Sequence, residues 1–466
     1  MTRNDRVDYV QQVNRSIRFV VYWVIVEWME AGGMKEPIRH FGFWIFDHLR
    51  NGKVLRHVQE LQHWINHPGE IESVHIESLS NLLHHATRHT PYYRTYQGVK
   101  DLTEFPVLTK SILREQGARM LSDEHQKRIS VFTSGSYGTP MVFHLSPEKK
   151  ARRLAEAMVY NQLAGYRVGC RYALVNGEME RKKRAFMRFI NNEVRINQTH
   201  FSDSELEWAC NRLAKGDIPF VIGWPSVITP IAQYAEYKGM VFSSIRGVIS
   251  MGEMLLEANR AQIQRVFPCP LLNRYAAVEL GVVAHEMPHE KGMIINRASY
   301  RVEILKRDRD EPAFAGDVGR IVITDLFSHG MPLIRYDIGD LAVSTRNSTT
   351  GAVVLDRIEG RTLETVFHTD GTVIAPLSLF SAIPKSEKKK MRQFQIVQTS
   401  PTDVEVNVDS SDQSLNSKAI VQSIQALMGS DTRVRINRVK AIFSLPSGKR
   451  PVIMQKMHSG SNQSQK

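Results

Sequence analysis

Short apolar runs typical of buried β-strands alternate with helical stretches along the middle of the chain. The strand-like runs are Val131–Phe132, Met141–Phe143, Tyr172–Val175, Phe220–Ile222, Gly247–Ile249 and Gly319–Thr324. The helical stretches between them are Ser146–Leu163, Ser202–Lys215, Pro225–Lys238 and Leu256–Phe267. Because strands that alternate with helices pair into a sheet covered by those helices, the pattern predicts an α/β body, which we place at residues 96–360.

The two flanks of this body differ from it. Residues 1–95 have apolar positions at helical spacing and predict a helical N-terminal segment of the large domain. Beyond the body, the more polar residues 361–457 predict a small α+β domain, and 458–466 a disordered tail. The predicted elements of the small α+β domain are strands at 393–398, 403–408, 433–439 and 451–455 and a helix at 418–428. A chain of 466 residues is expected to form two or more domains.

The charge and the cysteines bear on partners and compartment. A net charge of +13 suits an anionic partner, but the densest basic clusters, 181–184 and 388–392, lack the interleaved aromatic residues of single-strand binders. We therefore expect no nucleic-acid partner. The three cysteines form no C-x-x-C pair, which argues against disulfides and a structural zinc site and predicts a cytoplasmic protein.

The most apolar run of the chain, residues 19–26, lies near the N-terminus. It is far shorter than the roughly 20 residues that cross a bilayer, so we expect no transmembrane span. A core helix is one interpretation. Peripheral membrane contact through this N-terminal helix is the other, because Trp23 and Trp28 accompany four upstream arginines.

A glycine- and hydroxyl-rich stretch, residues 133–140, directly follows the apolar pair Val131–Phe132. Glycines let backbone N–H groups converge on one point, and hydroxyls add side-chain donors, so this composition suits a phosphate group. An ordinary surface turn is the alternative. The candidate phosphate-binding residues are Thr133, Ser134, Gly135, Ser136, Gly138 and Thr139.

Five further stretches follow this loop in a fixed order. They are Ser250–Glu253, Asn273–Glu279, Met331–Asp340, Gly360–Arg361 and Leu445–Arg450. Together they resemble the adenylate-forming superfamily of acyl-CoA ligases, synthetase adenylation domains and luciferases. The chain is most similar to the phenylacetate-CoA ligase branch and its capsule-biosynthesis, CapK-type relatives, through Pro91–Arg94, Phe105–Lys110 and Gly223–Ser226. The resemblance covers about residues 75–455 and implies a large adenylate-forming domain with a small, mobile C-terminal lid.

The resemblance also implies residue roles. The glycine-rich loop would wrap the β- and γ-phosphates of ATP, with Gly252 and Glu253 also among the nucleotide-binding residues. Tyr275 would flank the adenine, and Glu279 would hold Mg²⁺. In this family's pattern, Asp340 would contact the ribose hydroxyls, and Arg361 would contact the ribose or phosphate at the hinge. Lys449 would be the cation that acts on the α-phosphate.

Departures from the family pattern accompany these matches. Tyr137 stands where a small hydroxyl residue is usual in the phosphate loop, and Ala276 and Val278 replace a glycine and a hydroxyl residue. A zinc site found in some relatives would use the region of His285, Glu286 and His289. We expect no zinc there, because the expected Cys and His positions hold Met287 and Ile294.

Three functions fit this sequence. The first is an ATP-dependent ligase that converts a small-molecule carboxylic acid into an acyl-AMP and passes the acyl group to CoA. In the second, the acceptor is an amine or hydroxyl of a sugar or small metabolite, as expected of a CapK-type enzyme. The third is a catalytically weakened binding or scaffold protein, which Tyr137, Ala276 and Val278 motivate.

Two histidines fall one helical turn apart in the N-terminal segment. His85 and His89 are spaced as a pair of metal ligands would be, but no carboxylate or third histidine near them in the sequence completes a site. We therefore predict an ordinary surface pair.

Replacing Tyr137 with Thr tests the phosphate-loop hypothesis. Because Thr restores the small hydroxyl of the family pattern, Tyr137→Thr is expected to hold or raise ATP turnover, measured as ATP–pyrophosphate exchange. Collapse of the exchange in a folded variant would show that the chain uses this loop differently from its relatives.

Overall fold

The computed structural model describes residues 36–124, 127–133, 141–176, 191–197, 201–347, 351–361, 366–374, 379–380, 382–443 and 450–456. In these ranges the helices are α1 (Glu36–His48), α2 (Lys53–Asn66), α3 (Ile71–His89), α4 (Lys110–Gln116), α5 (Pro147–Gln162), α6 (Asp203–Ala214), α7 (Pro225–Tyr237), α8 (Glu257–Val266), α9 (Lys385–Lys388) and α10 (Ser417–Met428). None of these helices is long and apolar enough to span a bilayer.

The strands follow the same order along the chain. They are β1 (Ile129–Phe132), β2 (Val142–Leu145), β3 (Tyr172–Asn176), β4 (Glu193–Asn197), β5 (Phe220–Gly223), β6 (Gly247–Met251), β7 (Leu271–Ala277), β8 (Gly281–Glu286), β9 (Met293–Ile295), β10 (Tyr300–Leu305), β11 (Val318–Asp325), β12 (Tyr336–Arg346), β13 (Val353–Arg361), β14 (Val366–Phe367), β15 (Val373–Ile374), β16 (Gln393–Gln398), β17 (Asp403–Asp409), β18 (Arg433–Arg438) and β19 (Ile453–Gln455). The predicted α/β class is confirmed.

An 11-stranded mixed sheet forms the body, in the order β10-β11-β12-β13-β9-β8-β7-β6-β5-β3-β4. Strands β3 to β7 pair in parallel, and the remaining neighbours are antiparallel. All four residues of β5 are buried, as in parallel strands covered on both faces. Helices α6, α7 and α8 share an apolar core with these parallel strands.

Helix α2 packs onto the body through α5, whereas α3 buries Leu82 and Leu83 directly in the core of the body. Helices α2 and α5 bury a common apolar cluster that includes Val58, Leu61 and Val159. Ser146 begins α5 as its N-cap, since its side chain accepts a hydrogen bond from the Lys149 N–H, and Pro147 occupies the first turn, where its missing N–H costs nothing.

A fully buried ion pair anchors the other face of α5. Lys149 Nζ lies 2.7 Å from the Asp325 carboxylate on β11 and donates to the Tyr300 hydroxyl at 3.1 Å. Burial raises the pKa of Asp325, while the Lys149 ammonium acts in the opposite direction. Removal of either partner would leave an uncompensated buried charge, so the pair fixes α5 against β10 and β11.

The C-terminal unit has its own sheet and core. Its strands follow the order β18-β17-β16-β19, with β16 antiparallel to β17 and parallel to β19. Helix α10 buries Ile420, Ile424 and Met428 against this sheet. The unit touches the body where Gln393 Nε2 donates to the Ser226 carbonyl at 3.0 Å.

Candidate active site

The parallel strands β5, β6 and β7 end along one edge of the body sheet. Gly223 pairs with Ser250, and Ser250 in turn pairs with Asn273, so the three strands are aligned at their carboxyl ends. The motifs that follow these strands, at 224–226, 252–253 and 278–279, therefore lie along this edge. Ligands of α/β sheets bind beyond the carboxyl ends of such strands.

Gly252 and Glu253 pack against the start of α7. Gly252 has a φ of +82°, and a Cβ at this position would lie 2.8 Å from Trp224 Nε1, so the turn requires glycine. The Ser226 N–H donates to Glu253 Oε2 at 3.1 Å. A carboxylate at a helix N-terminus accepts orphan N–H groups and complements the helix dipole, so Glu253 stabilises α7.

Tyr275 and Asp340 meet although 65 residues separate them. The Tyr275 hydroxyl donates to Asp340 Oδ2 at 2.7 Å, and both side chains are half-buried. Asp340 lies on β12 directly opposite Arg361 on β13. The structure thus brings three of the predicted positions together, with Arg361 placed by its backbone.

Residues 108–110 fix the turn that carries Asp340. The Leu108 N–H donates to the Arg335 carbonyl at 2.8 Å, and the Leu108 carbonyl accepts from the Asp337 N–H at 3.0 Å. Lys110 Nζ donates to the Ile338 carbonyl at 2.7 Å, next to Gly339. Lys110 had no predicted role, although it lies in a stretch that carries the resemblance.

Glu279 is buried at the junction of β7 and β8. Its Oε1 accepts a hydrogen bond from the Tyr336 hydroxyl at 3.1 Å, and the residue is 5% exposed. The Tyr336 ring packs against Phe143 of β2, with ring centroids 5.9 Å apart. The predicted Mg²⁺ ligand is therefore linked through Tyr336, which sequence reasoning did not single out, to the hairpin that carries the glycine-rich loop.

The loop of that hairpin is closed at its base by Thr133. The Thr133 N–H donates to the Met141 carbonyl at 3.0 Å, and Thr133 Oγ1 accepts from the Met141 N–H at 2.9 Å. Among the predicted site residues, the rest of the loop and the terminal lysine lie outside the described residues: Ser134, Gly135, Ser136, Gly138, Thr139 and Lys449.

Arg450, the neighbour of Lys449, lies within the described residues. Its guanidinium carbon is 4.8 Å from the centre of the Phe201 ring, and the residue is 8% exposed. Burial lowers the pKa of Arg450, and the Glu253 carboxylate opposes this shift. The chain therefore emerges from residues 444–449 near the Glu253 turn.

All three thiols of the chain are ordinary, protonated cysteines. Burial raises the pKa of Cys170, Cys210 and Cys269 to about 11. A thiol with so high a pKa contains little thiolate at neutral pH and is a poor nucleophile. These surroundings favour none of the three cysteines as a catalytic nucleophile.

His285 and Glu286, in the region where some relatives were expected to bind zinc, make hydrogen bonds and packing contacts with neighbouring side chains. His285 is fully buried, and its ring stacks on Tyr160 with centroids 5.3 Å apart. Burial and the neighbouring Arg274 lower the pKa of His285 to about 3, so the ring is neutral. The Glu286 carboxylate accepts from Arg260 at 2.5 Å and from the Asn273 N–H at 2.8 Å.

Solved structures share this architecture. The crystal structure of 2-hydroxyisobutyryl-CoA ligase in the postadenylation state, in complex with R3-HIB-AMP, superposes with a TM-score of 0.65, covering 82% of this chain and 89% of the ligase at 15% identity. The amide bond synthetase McbA from Marinactinospora thermotolerans superposes with a TM-score of 0.50, covering 71% of this chain and 68% of McbA at 15% identity. The chain has the fold of the adenylate-forming ligases.

The sequence comparison points to one branch. The chain is 24% identical over 367 residues to Protein CapK of Staphylococcus aureus. The matched region covers 76% of this chain and 80% of CapK. No protein-family model matches the chain. The resemblance that the motifs predicted, to the adenylate-forming superfamily and its CapK-like relatives, is confirmed by these two findings.

The buried, neutral His285 predicts a pH dependence of stability. Its pKa is lower in the folded state than in the unfolded chain, so below about pH 6.5 the unfolded chain binds a proton that the folded protein excludes. The stability that the neutral ring contributes is present above the unfolded pKa and is lost as the pH falls toward about 3. His285→Gln is expected to lower the slope of unfolding free energy against pH by up to about 1.4 kcal/mol per unit between pH 6 and 4.

Urea unfolding at a series of pH values measures this slope. The matched control is His84→Gln on the exposed face of α3, which is expected to keep the wild-type slope. Equal slopes for His285→Gln and the wild type would contradict the assignment.

Proposed function

We propose that this protein is an ATP-dependent ligase that activates a small-molecule carboxylic acid as an acyl-AMP and transfers the acyl group to CoA. The observation that carries the proposal is the Tyr275–Asp340 hydrogen bond of 2.7 Å, opposite Arg361 and on the strands that also place Glu279. Three of the adenylate-forming motifs, distant in sequence, meet in one place. The structural neighbours that bind an acyl-AMP share the fold, which supports the same chemistry here.

The contacts of the described residues suit a nucleoside. Asp340 is acceptor-only when ionised, and a fixed carboxylate of this kind can accept from both ribose hydroxyls. The Tyr275 hydroxyl orients this carboxylate, while the Tyr275 ring offers a face to the adenine. Lys110 and residues 108–109 hold the turn, so the carboxylate is in position before the nucleotide arrives.

The donor set at Glu279 fits Mg²⁺. A carboxylate oxygen is a hard ligand of the kind that Mg²⁺ takes together with substrate phosphates, and Tyr336 fixes the orientation of this one. The ion, when bound, would neutralise charge on the phosphate oxygens. The chain's own task at this point is to hold the Glu279 carboxylate in a fixed orientation through Tyr336.

In the first step, a carboxylate oxygen of the substrate attacks the α-phosphorus of ATP. The bond between the α-phosphorus and the bridging oxygen breaks, and pyrophosphate leaves with that oxygen and its electron pair. Lys449 would offset charge on the α-phosphate as the new bond forms. The glycine-rich loop, whose base Thr133 closes, would hold the departing pyrophosphate.

In the second step, the sulfur of CoA attacks the acyl carbon, the thiol proton is released, and AMP leaves with the electron pair of the acyl–oxygen bond. No enzyme nucleophile is needed, in keeping with the protonated thiols of this chain. Lys449 belongs to the first step alone, so the small C-terminal domain is proposed to rotate between the steps.

A second acceptor is favoured by specific findings. The similarity to CapK and the shared fold with an amide bond synthetase support transfer to an amine or hydroxyl instead of CoA. Both versions share the adenylation step. They differ in the acceptor that consumes the acyl-AMP, so a panel of acids assayed with CoA, with amino sugars and with hydroxylamine separates them.

Asp340→Asn tests the nucleotide site. Because the amide accepts from fewer ribose hydroxyls, ATP–pyrophosphate exchange is expected to fall by roughly 10- to 100-fold, mainly through a raised KM for ATP. The control is Asp317→Asn at an exposed position of the same body, which is expected to leave exchange unchanged. Equal effects of the two substitutions would remove Asp340 from the site.

Lys449→Ala tests the division between the two steps. Exchange is expected to fall by at least about 100-fold, because charge on the α-phosphate is no longer offset, while consumption of chemically supplied acyl-AMP with CoA is retained. The control is Lys440→Ala, an exposed lysine of the same unit. Full exchange in Lys449→Ala would remove this lysine from the mechanism, and no exchange by the wild type with any acid would favour the scaffold hypothesis.

A further inference from the structure

The carboxylate that the sequence did not place beside His85 and His89 is supplied by Glu124. Both histidines lie in the last two turns of α3, and the Asp123 N–H donates to the His89 carbonyl at 2.8 Å, which places the segment before β1 against the end of that helix. We propose that His85, His89 and Glu124 bind a divalent transition-metal ion of the Zn²⁺ class. The prediction of an ordinary surface pair assumed that no carboxylate lies beside the two histidines. That assumption is wrong, because Glu124 lies there in the fold.

The ligand atoms lie at nearly the spacing of a metal site. His85 Nδ1 is 3.0 Å and His89 Nε2 is 3.9 Å from the same oxygen, Glu124 Oε2. One ligand atom from each residue lies within 4.8 Å of the other two. Tetrahedral zinc with bonds of about 2.0–2.1 Å separates neighbouring ligand atoms by about 3.4 Å, a value between the two measured distances.

The outer partner of His85 sets its tautomer. Nε2 lies 2.9 Å from the His329 carbonyl oxygen, which can only accept, and 3.3 Å from Ser122 Oγ, which can also accept, so Nε2 carries the proton. In the neutral ring the lone pair is then on Nδ1, the atom that faces Glu124. The side chain is only 10% exposed, so this orientation is held by its surroundings.

His89 has the matching arrangement through a carboxylate. Its Nδ1 lies 3.2 Å from Asp123 Oδ1, and Arg94 donates to Asp123 Oδ2 at 2.7 Å. The proton is thereby placed on Nδ1, and Nε2 presents its lone pair toward Glu124. Metal-binding histidines characteristically donate their second N–H to a carboxylate or a backbone carbonyl, and this cluster has one of each.

An ion pair without metal is the competing explanation. A protonated His85 would donate to both the His329 carbonyl and Glu124, which accounts for the distances around that ring. A protonated His89 would likewise donate from Nδ1 to Asp123 and direct its Nε2–H toward Glu124, so metal titration decides between the ion pair and a bound ion. Two imidazoles and one carboxylate match the His₂Glu donor set of zinc sites.

Three protein ligands leave one position of a tetrahedral ion open. His85 and Glu124 line an open cleft of about 690 Å³, together with Lys53, Lys127, Glu148 and His329. Water from this cleft can complete the coordination. The bound ion would tie the end of α3 to the segment that leads into β1, and hence to the hairpin that carries the glycine-rich loop.

The test uses the untagged full chain, stripped with chelator and titrated with Zn²⁺ by calorimetry and with Co²⁺ by visible absorption. We expect one ion per chain and the d–d bands of a tetrahedral N/O site. His89→Ala and Glu124→Gln are expected to weaken Zn²⁺ binding by at least about 100-fold. Asp123→Asn, which only orients His89, is expected to weaken it by roughly 10- to 100-fold.

The matched control is His84→Ala, which removes an exposed histidine of the same helix and is expected to bind Zn²⁺ like the wild type. Glu124 is itself 53% exposed, so Glu124→Gln keeps the fold, as circular dichroism would verify. The proposal is overturned if the wild type binds no ion, which leaves the ion pair as the explanation. Equal losses in His84→Ala and His89→Ala would overturn it as well.

Discussion

Burial of the central parallel strands on both faces is the constraint on which the rest of the molecule depends. Residues of β5 and β6 such as Val221, Val248 and Ile249 are at most 1% exposed, so these strands cannot slip without exposing apolar surface. The register then fixes where each strand ends. The chemistry-bearing stretches after β5, β6 and β7 inherit their mutual positions from that register.

A second constraint acts at the antiparallel half of the sheet. Asp340 is placed by the pairing of β12 with β13, by the backbone hydrogen bonds of Leu108 and by the Lys110 ammonium, and the Tyr275 hydroxyl meets it from β7. Each acidic group of the candidate site has a fixed partner: a helix start for Glu253, and tyrosine hydroxyls for Glu279 and Asp340. Such carboxylates are oriented before any ligand arrives, which lowers the ordering cost of using them as hydrogen-bond acceptors or cation ligands.

Periodicity predicted the elements whose pattern is local. The observed bounds lie within a residue or two of the predicted ones for strands β16 and β17 and helices α5 and α7. Alternating burial and N-terminal caps depend only on residues that are close in sequence, so the sequence alone reveals them. The long strands β12 and β13 were not predicted as strands. Register shifts interrupt the pairing of β12 with both β11 and β13, and the burial of β12 does not alternate regularly along the strand.

Lys110 and Tyr336 were missed because their roles come from contacts with segments distant in sequence. Glu124, 35 residues beyond His89, likewise reaches the histidine pair only through the tertiary fold.

The burial of the three cysteines has a practical consequence for enzymology. With pKa values of about 11, each thiol is ionised to only about one part in a thousand at pH 8. A reagent that reacts with thiolates would therefore modify the folded protein slowly. A colour reagent for free thiols can accordingly be used in the presence of the native chain, without first replacing its cysteines.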